Sequence, residues 1–243
     1  MRMLTLAKRN TKETLRDPLN LAFGLGFPLV LILLLSAIQA NIPVPLFEIQ
    51  QLTPGVAVFG LAFMTLFSAT LLAKDRSSAL IQRLYTTPLT AADFILGYTL
   101  PILPIAVAQS VVCYAVALVL GLDLTINILW SVLCTVPVSL LYIGLGLLCG
   151  SVLNDKQVGG ICGALLTNLS GWLSGVWFDL DLVGGAFKKI AYALPFVHAV
   201  EMSQAALAGE YGRILPHLWW VLGYGVAALA LAILLFLRQM KKQ

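Results

Sequence analysis

Few side chains in this 243-residue sequence have the type and spacing for metal or covalent chemistry. His198 and Glu201 stand three residues apart, which on a helix brings both to one side and is the minimum for a metal pair. Only one other histidine, His217, is available, so the pair reads as an interfacial hydrogen bond rather than a metal centre. Cys113, Cys134, Cys149 and Cys162 sit inside apolar stretches without metal-ligand spacing and read as small packing residues. The phosphate-loop pattern Gly-x-x-x-x-Gly-Lys-Ser/Thr is absent, as are His-Glu-x-x-His and Gly-x-Ser-x-Gly. Asn168 and Ser170 match a glycosylation pattern, but within an apolar run helix-to-helix hydrogen bonding is the expected use. No catalytic residue, metal ligand or cofactor is therefore assigned to this chain.

The elements that carry these residues follow from composition. With 60% hydrophobic and 11% charged residues and a mean hydropathy of +0.93, the chain cannot be a water-soluble globule, in which about a quarter of residues are charged. Its length is better counted in bilayer crossings of roughly 20 residues. Apolar runs without Asp, Glu, Lys or Arg occur at residues 21–40, 54–73, 94–120, 128–152, 158–178 and 218–237. Continuous runs favour helices over the alternating strands of a barrel, so the expected fold is an all-α polytopic membrane protein with six transmembrane helices in one domain over 1–243. The third run would reach about 40 Å as a straight helix, more than the hydrocarbon core, and Pro101 and Pro104 are the expected place for a bend. Glycine pairs at four-residue spacing, Gly146 and Gly150, Gly159 and Gly163, Gly171 and Gly175, are expected to pack the bundle.

Cytoplasmic connections collect Lys and Arg near span ends. With the amino terminus inside, twelve basic residues fall on the inner side and three, Lys188, Lys189 and Arg213, on the outer. Both termini are therefore placed in the cytoplasm of a cell (plasma or inner) membrane protein. The net charge of +4 is a topology signal and calls for no nucleic-acid partner. The long basic stretch ahead of the first run argues against a cleaved signal peptide.

Three connections carry more information than the spans. In residues 1–20, Lys8, Lys12 and Arg16 share a helix face while Leu4, Ala7 and Leu15 give a thin apolar side, the pattern of an amphipathic helix lying among inner-leaflet headgroups. Between the second and third runs, Ser77, Leu80, Ile81, Leu84 and Pro88 follow helical spacing, so a short cytoplasmic amphipathic helix is expected over 76–85. Thr90 and Asp93 have capping-box spacing at the start of the third span. The external stretch 179–216 is too polar for a span and too apolar for an exposed loop. Two short helices meeting at Pro195 and re-entering the outer leaflet would satisfy both facts, with Pro195, His198 and Glu201 as an outer gate. The runs lack the ionisable groups by which ion-driven carriers link ion to cargo. If solute moves uphill, the energy must enter from another polypeptide, most directly at 76–85.

At three places in order the residues resemble the type-2 ABC transporter permeases. AKRNTKETLRDPLNLAFGLGFPLVLILL is similar to the family's basic opening helix, Arg-Asp-Pro and proline-bearing first span. KDRSSALIQRLYTTPLTAADFILGYTLP is similar to its cytoplasmic signature. LSGVWFDLDLVGGAFKKIAYALPFVHAVEMSQAALAG resembles its closing signature, although Asp179 stands where a proline is common and Ser203 and Gln204 stand where an arginine is often found. The resemblance implies a non-enzymatic permease subunit of a drug, antibiotic, peptide or polysaccharide exporter. Its implied partners are a second permease chain, as a homodimer or with a related one, and two cytosolic ATPase subunits that bind ATP and Mg. It further implies ATPase coupling through Arg76, Leu80, Ile81, Arg83, Leu84 and Tyr85, with a smaller contact at Asn154, Asp155 and Lys156. A path along spans two and five would be lined by Phe59, Phe63, Phe67, Thr70, Thr167, Asn168 and Trp172. A self-sufficient channel or secondary carrier is the rival reading, and an intramembrane enzyme or assembly factor a further one.

Overall fold

The computed structural model describes residues 2–78 and 90–240, and every regular element among them is helical. Helix α1 (Arg2–Leu15) is followed by α2, which runs from Pro18–Leu21 through a π-helical turn at Ala22–Gly26 into Phe27–Gln39. Helices α3 (Ile49–Ser77), α4 (Ala91–Val119) and α5 (Asn127–Val152) come next. The fifth apolar run forms α6, in which Asp155–Val158 and Thr167–Trp172 flank a π-helical stretch at Gly159–Leu166. Short helices α7 (Leu180–Val183), α8 (Gly185–Ala193) and α9 (Pro195–Ala208) lead to the long α10 (Tyr211–Met240).

Five helices among the described residues are long and apolar enough to cross a membrane: α2, α3, α4, α5 and α10. Helix α6 is not one of them. Its glycine-rich middle is a weak helix former, and the helix stops at Trp172, short of the expected residue 178. The other ends also move. The last helix begins at Tyr211, so residues 211–216 extend it instead of completing the external connection. Helix α3 runs on to Ser77, so Arg76 closes a span instead of opening a separate amphipathic helix; residues 79–85 of that expected helix lie outside the described ones. Helix α4 continues through Pro101 and Pro104, and its expected capping box is present, with the Asp93 amide donating to Thr90 Oγ1 and the Thr90 amide to Asp93 Oδ2.

Helix α3 is the axis of the bundle: 89% of its apolar window is buried, against 17% for the amino-terminal span and 28% for α10. The outer helices turn Val30, Leu33 and Leu34 and Trp219, Val226 and Leu234 outward, as a lipid environment permits. Without water to drive helices together, close backbone approach and polar side chains hold such a bundle. Both operate between α3 and α5. A Cβ on Gly150 would lie 2.8 Å from the Ala69 carbonyl oxygen, and one on Gly146 would run into Ser68 and the Thr65 carbonyl. Thr65 Oγ1 donates to the Tyr142 carbonyl at 2.9 Å. The expected packing by Gly159 and Gly163 is only half realised, because Gly159 faces open space.

Helix α1 packs on α4, with a different side than the apolar pattern suggests. Leu4 and Leu15 are exposed; Leu6, Ala7, Asn10 and Thr14 are buried. Asn10 tolerates burial because its amide donates to the Gly97 carbonyl at 3.0 Å, and Gly97 leaves the notch that Leu6 fills.

Gly150→Val should force α5 from α3 and cost about 1–3 kcal/mol, lowering the melting temperature of the detergent-purified chain by several degrees. Gly159→Ala should leave it unchanged or slightly raised, which thermal unfolding followed by tryptophan fluorescence checks.

Candidate functional site

Three consecutive residues at the carboxyl end of α3 reach three different parts of the bundle. Asp75 is 1% exposed and accepts hydrogen bonds from Arg9 Nη1 and from the Tyr98 hydroxyl, each at 2.6 Å, joining α1, α3 and α4. Arg9 also meets Glu13 at 2.6 Å and the Asn10 carboxamide oxygen at 2.8 Å. Partial burial opposes the charge on Arg9, but the hydrogen bond and charge of Asp75 more than offset this and hold its pKa above the ordinary value. Lys74 lies 3.7 Å from Asp17 in the α1–α2 turn. Arg76 Nη1 donates to the carbonyls of Gly150 at 2.8 Å and Leu153 at 3.2 Å, capping the carboxyl end of α5 where a cation is favoured.

Most described residues expected to couple or to touch the membrane surface gather at this end. Lys8 and Lys12 are exposed along α1, and Arg16 is exposed in the turn that follows it. Asn154 opens α6 through a capping box with Gln157, beside the Leu153 carbonyl that Arg76 holds, and Asp155 and Lys156 are exposed. Leu80, Ile81, Arg83, Leu84 and Tyr85 lie outside the described residues. The buried role of Asp75 was missed, because its partners are 66 and 23 residues away; the only local signal was an acid placed between two bases at the end of an apolar run.

The residues expected to line a path divide between two surroundings. Phe59, Phe63 and Phe67 are buried within the chain. Phe63 packs against Phe27 and Phe23 at 5.6 and 6.2 Å between ring centres, and Phe59 against Trp177 at 5.1 Å. Thr167 is buried and bonded to the Cys162 carbonyl of its own helix. Thr70 is half-buried, in a groove shared with Phe67 and Lys74. Asn168 and Trp172 are exposed on α6, next to exposed Leu165 and Leu169.

Pro195 occupies the first turn of α9, where its missing donor costs nothing. One turn on, His198 is buried and stacks on Trp220 of α10 at 4.8 Å. Two residues that sequence reasoning did not join to His198 and Glu201 complete this group. His217 Nδ1 lies 2.9 Å from His198 Nδ1, and the Tyr192 hydroxyl donates to Glu201 Oε1 at 2.5 Å. Burial and the Glu201 carboxylate push Tyr192 up to about 12, so it keeps the proton it donates. On α4, Tyr98 and Tyr114 are sixteen residues, roughly 24 Å, apart. Tyr114 lies 2.5 Å from Ser131, which donates to the Ser203 carbonyl two residues from Glu201. The histidine group is therefore at the end of the bundle remote from Asp75.

A bundle of apolar helices with outward aliphatic faces and a charged joint at one end is a polytopic helical membrane domain. The chain belongs to the ABC-2 type transporter family: that family's model matches residues 1–208, which include every element up to the end of α9. It is thus an ABC transporter permease by family. Comparison with curated proteins finds no match.

Arg9→Ala would leave Asp75 with Tyr98 alone among the described partners. Arg9→Ala and Asp75→Asn should each destabilise by about 1–3 kcal/mol, less for Arg9 because it is partly solvated. Combined, they should cost less than the sum of the two. A double-mutant cycle of melting temperatures checks this; strict additivity would show that the pair is not energetically joined.

Proposed function

We propose that this permease forms the membrane path of an ATP-driven exporter, pairing with a second permease chain and with two cytosolic ABC ATPase subunits that hold ATP and Mg. The observation that carries the reading is the reach of Lys74, Asp75 and Arg76 to the α1–α2 turn, to α1 and α4, and to the α5–α6 corner. In sequence, residues 79–89 follow directly after this joint. A force applied there by a motor acts on a set of helices that polar contacts already lock together, and small displacements become rigid-body motion because packed interfaces resist continuous deformation.

In this reading the segment 76–85 is the principal ATPase contact and Asn154, Asp155 and Lys156 a smaller one. Helix α1 lies at the inner headgroup layer with Lys8, Lys12 and Arg16 toward anionic lipid. Both termini lie in the cytoplasm in this reading, which the distribution of basic residues supports. Helix α6, eighteen residues from Asp155 to Trp172, is about 27 Å long at the α-helical rise and supplies a sixth crossing of a somewhat thinned core. Its exposed side, with Asn168 and Trp172, meets the second chain or the cargo, while Phe59, Phe63 and Phe67 come into the path when α2 moves away from α3. The α8–α9 hairpin closes the outer end, with Pro195, His198 and Glu201 at the gate. Amphipathic molecules such as drugs or peptides suit an aromatic path with few polar groups.

Leu80→Asp together with Leu84→Asp removes the apolar side of the segment that would enter the motor. In vesicles carrying the permease and its ATPase, transport should fall at least tenfold while ATP hydrolysis continues. Normal transport by this double variant would contradict the assignment.

A further inference from the structure

We propose that His198, Glu201 and His217 form a divalent-cation site of zinc-binding character that ties α9 to α10 at the end of the bundle remote from Asp75. One ligand-capable atom from each of the three residues lies within 4.8 Å of the other two. His198 Nε2 stands 3.0 Å from the Tyr192 carbonyl oxygen. A carbonyl only accepts, so the proton is on Nε2 and His198 Nδ1 presents a lone pair. That lone pair faces His217 Nδ1, 2.9 Å away, and Glu201 Oε2 lies 3.5 Å from the same His217 nitrogen. His217 Nδ1 either carries a proton and donates it to that lone pair or, bare, joins His198 Nδ1 and the Glu201 carboxylate around a cation, and the contact distances fit both.

The surroundings distinguish a metal from a shared proton. Tyr192 supplies both outer hydrogen bonds, its carbonyl fixing the tautomer of His198 and its hydroxyl fixing Glu201; proteins orient metal-binding histidines and carboxylates by such contacts. The face of His198 is held by the Trp220 ring, which fixes the direction of its donor atom. Bonds of about 2.0–2.1 Å in tetrahedral geometry set two nitrogens about 3.3 Å apart, so the histidines need separate by only about 0.4 Å. Two imidazole nitrogens and one carboxylate oxygen are a set that Zn²⁺ accepts, with its fourth position left for water or an exogenous donor. Glu201 borders a polar cleft with Gln51, Gln204 and Arg213, through which that position reaches solvent. A cation there would replace the weak hydrogen bonding of an outer hairpin by coordinate bonds between two helices.

Binding is measured on the chain by itself, so the proposal stands or falls apart from the export reading. The probes are Co²⁺ and Zn²⁺ alone, added to the full chain purified without a polyhistidine tag and stripped with a chelator. One Co²⁺ per chain should bind with the visible bands of a four- or five-coordinate nitrogen–oxygen site and no thiolate band, and an equivalent of Zn²⁺ should displace it. His217→Asn should weaken Co²⁺ binding roughly 100-fold, and Tyr192→Phe, which touches no metal, about tenfold. Glu201→Gln keeps a hydrogen-bond partner for Tyr192; it should melt like the parent in chelator yet bind Co²⁺ at least roughly tenfold more weakly. A parent chain that takes up no Co²⁺ at equimolar concentration holds only a histidine pair sharing a proton, and the proposal is overturned. A thiolate spectrum overturns it too, as does unchanged binding in Glu201→Gln or His217→Asn.

Discussion

A carboxylate that is 1% exposed needs partners before it can be tolerated, and the demands of Asp75 organise one end of this molecule. Removing a charge from water costs several kcal/mol unless geometry and hydrogen bonds restore what hydration supplied. Arg9 comes from the amino-terminal helix and Tyr98 from the second turn of α4, so the helix that carries Asp75 is bound to two elements that are distant in sequence. The neighbours Lys74 and Arg76 add the α1–α2 turn and the α5 carboxyl end. Such a joint disfavours any register of the helix that would leave the buried carboxylate without its partners. Here the register belongs to α3, the helix that contacts most of the others.

The rest of the bundle follows from the same helix. Thr65, Ser68 and Ala69 lie along the line where Gly146 and Gly150 bring α5 up to its backbone, and the aromatic side of Phe59, Phe63 and Phe67 receives α2 and the turn after α6. One side of α3 is thus fixed by close backbone packing and hydrogen bonds. The other is filled by rings whose contacts are non-directional and more easily remade. That asymmetry suits a protein in which some helices move against a rigid centre. On the aromatic side, α2 covers Phe59, Phe63 and Phe67.

Local patterns were legible in the sequence and long-range ones were not. The apolar runs located the long helices because hydropathy and length are properties of a single segment, and the Thr90–Asp93 cap was readable because both partners sit within one turn. Helix ends were less so: α3 and α10 extend past the apolar runs into Lys74, Arg76 and Arg213, since charged residues can continue a helix at the edge of the bundle. The fifth run looked like any other by hydropathy, yet Gly159, Gly160 and Gly163 are weak helix formers and the helix there is π-helical. For α1, apolar spacing pointed to Leu4, Ala7 and Leu15; Ala7 is buried, but Leu4 and Leu15 are exposed, and the packed side is completed by Asn10, whose acceptor is a carbonyl 87 residues away. His217 had no visible tie to His198 until α9 folded back on α10.

Family membership rests on the match over residues 1–208, and the export reading adds that the energy for uphill movement reaches such a chain from a partner. The most direct measurement is cargo accumulation in sealed vesicles holding this chain with and without its ATPase. The account predicts accumulation against a gradient only when both proteins and ATP are present, with ATP hydrolysis rising as cargo is added. Uphill accumulation by the chain alone, driven by an ion gradient or by nothing added, would contradict it.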